Sequence, residues 1–184
     1  MGEVASKEQL RMSFVRWAAV AVPAVLLLGF LSGRTVPSGE QNGWYAALTK
    51  PDFTPPGWAF PVVWSLLYVM IGVALALVLS ARGARLRGLG IALFVAQLAG
   101  NLAWTPLFFG AHHVGAAFLL IVAILGLSIL TTIVFAQVRR VAAWLMVPYM
   151  AWLCLAGALN WEIGRLNPDA ERVVKAAAAS QVIR

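Results

Sequence analysis

Carboxylates are missing from most of this chain: between Asp52 and Glu162 there is no Asp or Glu. Acid/base catalysis by paired carboxylates inside that stretch is excluded. Charge of either sign is missing from Thr54 to Ala81 and again from Gly88 to Val138. Water need not reach those runs, and each has the length of about 20 apolar residues that a membrane span requires. Cysteine is almost absent as well. Cys154 stands alone, so no intrachain disulfide can form; it reads as a small apolar packing residue. Histidine is limited to His112 and His113, adjacent in what reads as a tight, solvated hairpin, and neighbours on such a turn rarely converge on one metal. No metal site is expected.

Apolar residues make up 61% of the 184 positions, with a mean hydropathy of +0.84. That composition lies outside the range of a water-soluble domain and leaves room for one membrane domain. The expected fold is an all-α membrane protein, a five-transmembrane-helix bundle. Its spans are placed at about 14–31, 59–79, 89–109, 114–137 and 142–163. Residues 1–13 form a polar N-terminal tail and residues 164–184 a charged, Ala-rich C-terminal tail. The first apolar run has the charged start of a signal peptide, but no small-x-small cleavage site follows Leu31, so it is read as a retained helix. With no strong internal repeat and an odd number of helices, a simple inverted-repeat transporter is disfavoured.

The net charge of +7 does not point to nucleic acid, because the basic residues sit in short patches at the ends of apolar runs. Eight Lys and Arg fall on the N-terminal side of the bundle and six on the other. Arg184 and Lys175 lie far from a span end, so the N terminus is expected in the cytoplasm. Residues 32–58, rich in Pro and Gly but also carrying Trp44, Tyr45, Phe53 and Trp58, form the longest connection. Its aromatic content argues against disorder, and an ordered cap on the helix ends is expected.

Eight tryptophans are the strongest positive feature. Trp17, Trp58, Trp144 and Trp161 lie near span ends, where an interfacial belt accounts for them. Trp64, Trp104 and Trp152 do not. In the third span Gln97, Asn101, Trp104 and Phe108 share one helical face, and an intramembrane Asn and Gln must find partners inside the bundle. Pro61, Trp64 and Tyr68 behave similarly in the second span, and Pro148, Trp152, Ala156 and Leu159 in the fifth. Three such faces suit a packed core or a pocket for a flat, apolar ligand equally well. Gly72-x-x-x-Ala76 and Ala96-x-x-x-Gly100 permit close helix approach, within the bundle or between protomers.

The order Trp44-Tyr45-x-x-Leu48-x-Lys50-Pro51-x-Phe53-x-Pro55-Pro56-Gly57-Trp58, then Pro61-x-x-Trp64, Asn101-x-x-Trp104-x-Pro106-x-Phe108-Phe109-Gly110 and Val147-Pro148-Tyr149-x-x-Trp152 with Leu159-Asn160 resembles the TspO/translocator protein family of tryptophan-rich sensory proteins. The likeness covers about Trp44 to Asn167. It implies a five-helix bundle, commonly a homodimer in the lipid bilayer, whose long first loop caps a pocket for porphyrins such as protoporphyrin IX or haem. No other cofactor is implied. The pocket so implied comprises Trp44, Phe53, Trp58, Trp64, Asn101, Trp104, Trp152, Ala156 and Leu159, to which the helical faces add Tyr68 and Gln97. Lys50 and Arg34 would be rim cations for propionates. Light- and oxygen-dependent porphyrin breakdown in some members implicates two tryptophans, which by motif are Trp64 and Trp152. The alternative reading is a transporter of tetrapyrroles or other amphipaths. The chain departs from animal members at their sterol motif, where Trp161 replaces Tyr, and at Thr54 and Ala116, so sterol and drug binding are not carried over.

Overall fold

A computed structural model describes residues 7–171. Five helices among them are long and apolar enough to cross a membrane: α1 (Lys7–Gly33), α3 (Ala59–Ser80), α4 (Arg87–Thr105), α5 (Val114–Val138) and α6 (Arg140–Leu166), with a short α2 (Gly43–Ala46) in the first loop. There are no strands among the described residues. The first and last spanning helices extend beyond their apolar runs, whereas α3 and α5 stay within theirs. The first begins at Lys7 rather than near Phe14 and the last ends at Leu166, because polar residues continue a helix past the bilayer once it is nucleated. The terminal tails fall only partly within view, since residues 1–6 and 172–184 lie outside the described residues.

Packing runs α1 against α3, α3 against α6, α6 against α5 and α5 against α4, and α4 closes the ring on α1 and α3. Close approach of α1 and α3 depends on two glycines. A Cβ on Gly72 would lie 2.9 Å from Val22 Cα, and one on Gly29 would fall within the Tyr68 ring. Gly72 therefore serves contact inside the bundle. Gly100 does the same against Ile124 of α5, whereas Ala96 is exposed.

Hydroxyls inside the spans bond the carbonyl one turn back, as Ser128 does to Ile124 (2.8 Å) and Thr131 to Leu127 (2.7 Å), which satisfies them where no water is present. Helix α4 ends in a π-helical turn, Pro106–Gly110. Pro106 has no N–H to offer the Leu102 carbonyl four residues back. That oxygen instead accepts from Ser32 Oγ of α1 at 2.6 Å, so the proline break becomes a tie between helices. A single extended residue, Arg139, joins α5 to α6.

Cys154 corrects the packing expectation: it is exposed on α6, on the outer face rather than in the core. Free of a steric partner there, a small apolar residue meets lipid at no cost.

Candidate functional site

The first loop is tied down by its polar side chains. Asn42 caps α2, its Oδ1 accepting from Tyr45 N–H at 3.0 Å, while its Nδ2 donates to the carbonyls of Pro37 and Phe109, both at 3.0 Å. One amide thus joins the loop to itself and to the π-turn of α4. Thr49 and Asn167 exchange two further bonds of 2.9 and 2.8 Å, and the Trp44 indole donates to Ala170 O at 3.2 Å. Glu171 accepts from Gly115 N–H at 2.9 Å, placing a carboxylate at the positive end of α5. The loop is therefore an ordered cap, held on one side by α4 and on the other by the chain following α6. For Asn42→Ala we expect local loosening worth about 2 kcal/mol, from three lost bonds at a mostly buried amide. Faster proteolytic cleavage between residues 34 and 58, with the spanning helices still protected, would register it; unchanged cleavage would contradict it.

Two aromatic clusters lie at different depths. Beneath the cap, Trp104 stacks on Phe108 (4.9 Å between centroids, 12° between planes), Trp44 meets Phe108 edge-on at 5.4 Å, and Tyr45 meets Phe109 at 5.3 Å. His112, at a positive φ of 58°, lays its ring 4.4 Å from that of Trp44. It is not simply a solvated turn residue: partial burial, with His113 beside it, lowers its pKa. Burial raises the pKa of Tyr45, and the Glu40 carboxylate adds to the effect.

Deeper in the bundle, Trp64 stacks on Tyr68 at 5.2 Å and meets Trp152 at 6.4 Å and 87°, with Tyr149 at 6.3 Å and Phe60 against Trp152 at 5.8 Å. Polar links fix these rings. Tyr68 Oη donates to Asn101 Oδ1 at 2.8 Å, and Tyr149 Oη to Gln97 Oε1 at 2.8 Å. Asn101 and Trp104 lie on one face of α4, one turn apart, and so connect the two clusters.

Among the residues singled out from the sequence, the structure brings Trp64, Tyr68, Asn101 and Trp152 into one wall, with Gln97 behind it, and Trp44 and Trp104 into the layer above. Leu159 is buried and Ala156 half-buried on α6. Phe53 and Trp58 stand apart, 49% and 70% exposed. The basic residues are already engaged: Lys50 pairs with Glu40 at 3.2 Å and sits over the Tyr45 ring, and Arg34 sits over Phe30. To meet a ligand carboxylate, Lys50 would have to exchange partners.

A model of the TspO/MBR family matches residues 19–166. The chain belongs to that family. It is 40% identical over 139 residues to protein CrtK of Rhodobacter capsulatus, covering 74% of this chain and 86% of the relative. It is 38% identical over 151 residues to the tryptophan-rich protein TspO of Chlorobaculum tepidum, covering 82% and 95%. It is 37% identical over 142 residues to the translocator protein of Homo sapiens, covering 76% and 84%. As a TspO-family chain with five apolar helices, this is an integral, multi-pass membrane protein.

Three residues of the site escape a reading by motif and spacing alone, and a fourth, Tyr149, lies in the Val147-Pro148-Tyr149-x-x-Trp152 motif without being assigned to the pocket. Gly29 leaves room for the Tyr68 ring, Asn42 fastens the cap, and Tyr149 and Phe60 complete the aromatic surface. Asn before Gly43-Trp44-Tyr45 is a helix N-cap signal that could have flagged Asn42, and Tyr149, three residues before Trp152, shares its helical face. Nothing in the sequence marks Gly29.

Proposed function

We propose that this protein binds porphyrins such as protoporphyrin IX or haem within the bundle beneath the first-loop cap, as a membrane sensor or scavenger. The wall of Trp64, Tyr68 and Trp152 carries this reading. Three rings held by hydrogen-bonded neighbours and packing offer π-faces and edges to a planar macrocycle without first having to be ordered. The Trp104 indole N–H is buried without an acceptor among the described residues, and a donor left so is suited to a ligand oxygen or nitrogen. Lys50, released from Glu40, is suited to a propionate.

Saturable quenching of tryptophan fluorescence by protoporphyrin IX in detergent-solubilised protein tests this. Wild type should bind, and Trp64→Phe and Trp152→Phe should each weaken the dissociation constant about five- to tenfold, the value of one aromatic contact. Non-saturable quenching by the folded wild type would end the proposal. Illumination under oxygen then asks whether the bound porphyrin is consumed. The excited macrocycle passes energy to dioxygen, and the singlet oxygen adds to porphyrin or to indole. Bleaching equal to that in empty detergent would mean that Trp64 and Trp152 have no part in it.

The name translocator protein borne by relatives favours a second reading, transport of tetrapyrroles or other amphipaths. Proteoliposomes that bind porphyrin but never gain it in the lumen would dismiss that reading. We also read the protein as a homodimer with its N terminus cytoplasmic. Ala92, Ala96, Ala99 and Ala103 form an exposed, small-residue face on α4 on which two backbones can approach closely.

A further inference from the structure

The two ends of the bundle differ in charge. Where α1 begins, α3 leads to α4 and α5 turns into α6, the arginines Arg11, Arg16, Arg82, Arg85, Arg139 and Arg140 are exposed, and Glu8 is the one carboxylate among the described residues there. At the opposite end, among the described residues, Arg34, Lys50 and Arg165 are outnumbered by Glu40, Asp52, Glu162, Asp169 and Glu171. That opposite end neutralises part of its charge through ion pairs between Lys50 and Glu40 and between Arg165 and Glu162. Arg16 and Arg82 enter no ion pair among the described residues.

These two arginines meet at a groove of about 440 Å³, lined on α1 by Met12, Ser13, Arg16, Trp17 and Val20 and closed by Arg82. The α1 positions recur at helical spacing and form one face. Arg82 reaches it for a topological reason. The antiparallel register that sets Tyr68 beside Gly29 and Val22 beside Gly72 carries the end of α3 opposite Met12 and Ser13. Arg87, by contrast, is committed to the end of α3, donating from Nε to Leu79 O at 3.2 Å.

We propose that this groove holds the phosphate headgroup of an anionic phospholipid from the leaflet on the N-terminal side. Arg16 and Arg82 serve as its two cationic donors, and the start of an acyl chain lies on Trp17 and Val20. The site has the layering such a lipid needs. Its guanidinium groups lie at the end of the spans, its indole has an apolar body and a polar N–H suited to the interface, and Val20 sits one turn deeper than Arg16. Two unpaired cations in one groove distinguish it from the surrounding basic surface, which would draw anionic lipid without fixing it.

Native mass spectrometry of the purified full chain, with dioleoylphosphatidylglycerol and dioleoylphosphatidylcholine supplied together, tests this. Wild type should retain the anionic lipid about 30-fold over the zwitterionic one, the selectivity of two arginines near a charged headgroup. Arg16→Gln/Arg82→Gln should bring the ratio to near unity. Arg85→Gln/Arg140→Gln, which removes equal charge from the same end, should leave it near the wild-type value. Equal loss in both double variants would overturn the site in favour of diffuse attraction, and displacement of the lipid by inorganic phosphate would overturn the lipid as its occupant. A second measurement uses phosphatidylcholine nanodiscs doped with phosphatidylglycerol brominated in its acyl chains. Quenching that saturates at a low dopant fraction in the wild type and disappears in Trp17→Phe supports the groove; quenching proportional to dopant and equal in both refutes it.

Discussion

Replacing Gly29 with leucine should unfold the bundle locally and abolish ligand binding, while the same change at Gly33, one turn along the same helix, should be tolerated. The difference lies in what each Cβ meets. At Gly33 there is nothing within 4 Å, whereas at Gly29 the new carbon would fall within the Tyr68 ring. That ring cannot yield freely, because it is stacked on Trp64 at 5.2 Å and bonded to Asn101 at 2.8 Å. Alanine at 29 gains up to about 1 kcal/mol in helix propensity over glycine, but overpacking costs about 1–3 kcal/mol. Gly29→Ala should therefore be destabilised by about 1–2 kcal/mol and Gly29→Leu by about 3 kcal/mol or more. In a Tyr68→Ala background, Gly29→Ala should cost little further stability, because the clash is gone, while porphyrin affinity is lost with the wall. Thermal melting in detergent, scored by loss of the monodisperse species, decides the matter. Equal melting of Gly29→Ala and Gly33→Ala would show that α1 can shift away from α3, and would remove Gly29 from the site.

The contrast between Gly29 and Trp64 shows what could be read from the sequence. Five spans follow from hydropathy because lipid forces backbone bonds to close within each segment, so helix positions depend on runs of apolar residues and little else. The faces of α3, α4 and α6 follow from spacing. Trp64, Tyr68, Asn101 and Trp152 meet as their periodicity suggests, and the cap is ordered because Trp44, Tyr45 and Asn42 have partners. Which residues a face opposes, however, depends on the register between helices, and register is a long-range property. Gly29 and Tyr68 are 39 positions apart, and nothing local ties them. Phe53 and Trp58 show the same limit from the other side. They belong to the loop motif, yet both are exposed, because a proline-rich turn aims each side chain individually rather than by period.

Gln97 marks where spacing could not separate two roles, and its removal should weaken the fold rather than the ligand site. It shares a helical face with Asn101 and Trp104, yet its side chain is fully buried against α5 and α6, its Oε1 accepting from Tyr149 Oη at 2.8 Å and lying 3.5 Å from Ser128 Oγ. Tyr149 and Ser128 are fully buried as well. Gln97→Leu leaves the tyrosine hydroxyl without that acceptor, and Tyr149→Phe leaves the amide oxygen with only the long serine contact. Each change should cost about 1–3 kcal/mol, the range for a buried group deprived of its partner. The double variant should cost less than the two together, since it removes both ends of the bond. Interhelical bonds in membranes average about 0.6 kcal/mol and reach about 1.7, so a coupling near 1 kcal/mol is expected. Porphyrin affinity should stay within about twofold in all three, because Tyr149→Phe removes only the hydroxyl and keeps the ring that faces Trp64. The opposing consideration is the Gln97 Nε2, which has no acceptor among the described residues and would suit a ligand oxygen. The two roles separate cleanly. Loss of affinity in Gln97→Leu with no loss in Tyr149→Phe assigns the amide to the ligand, whereas lowered melting in both with affinity intact makes it the bolt between α4 and α6 that holds the aromatic wall in place.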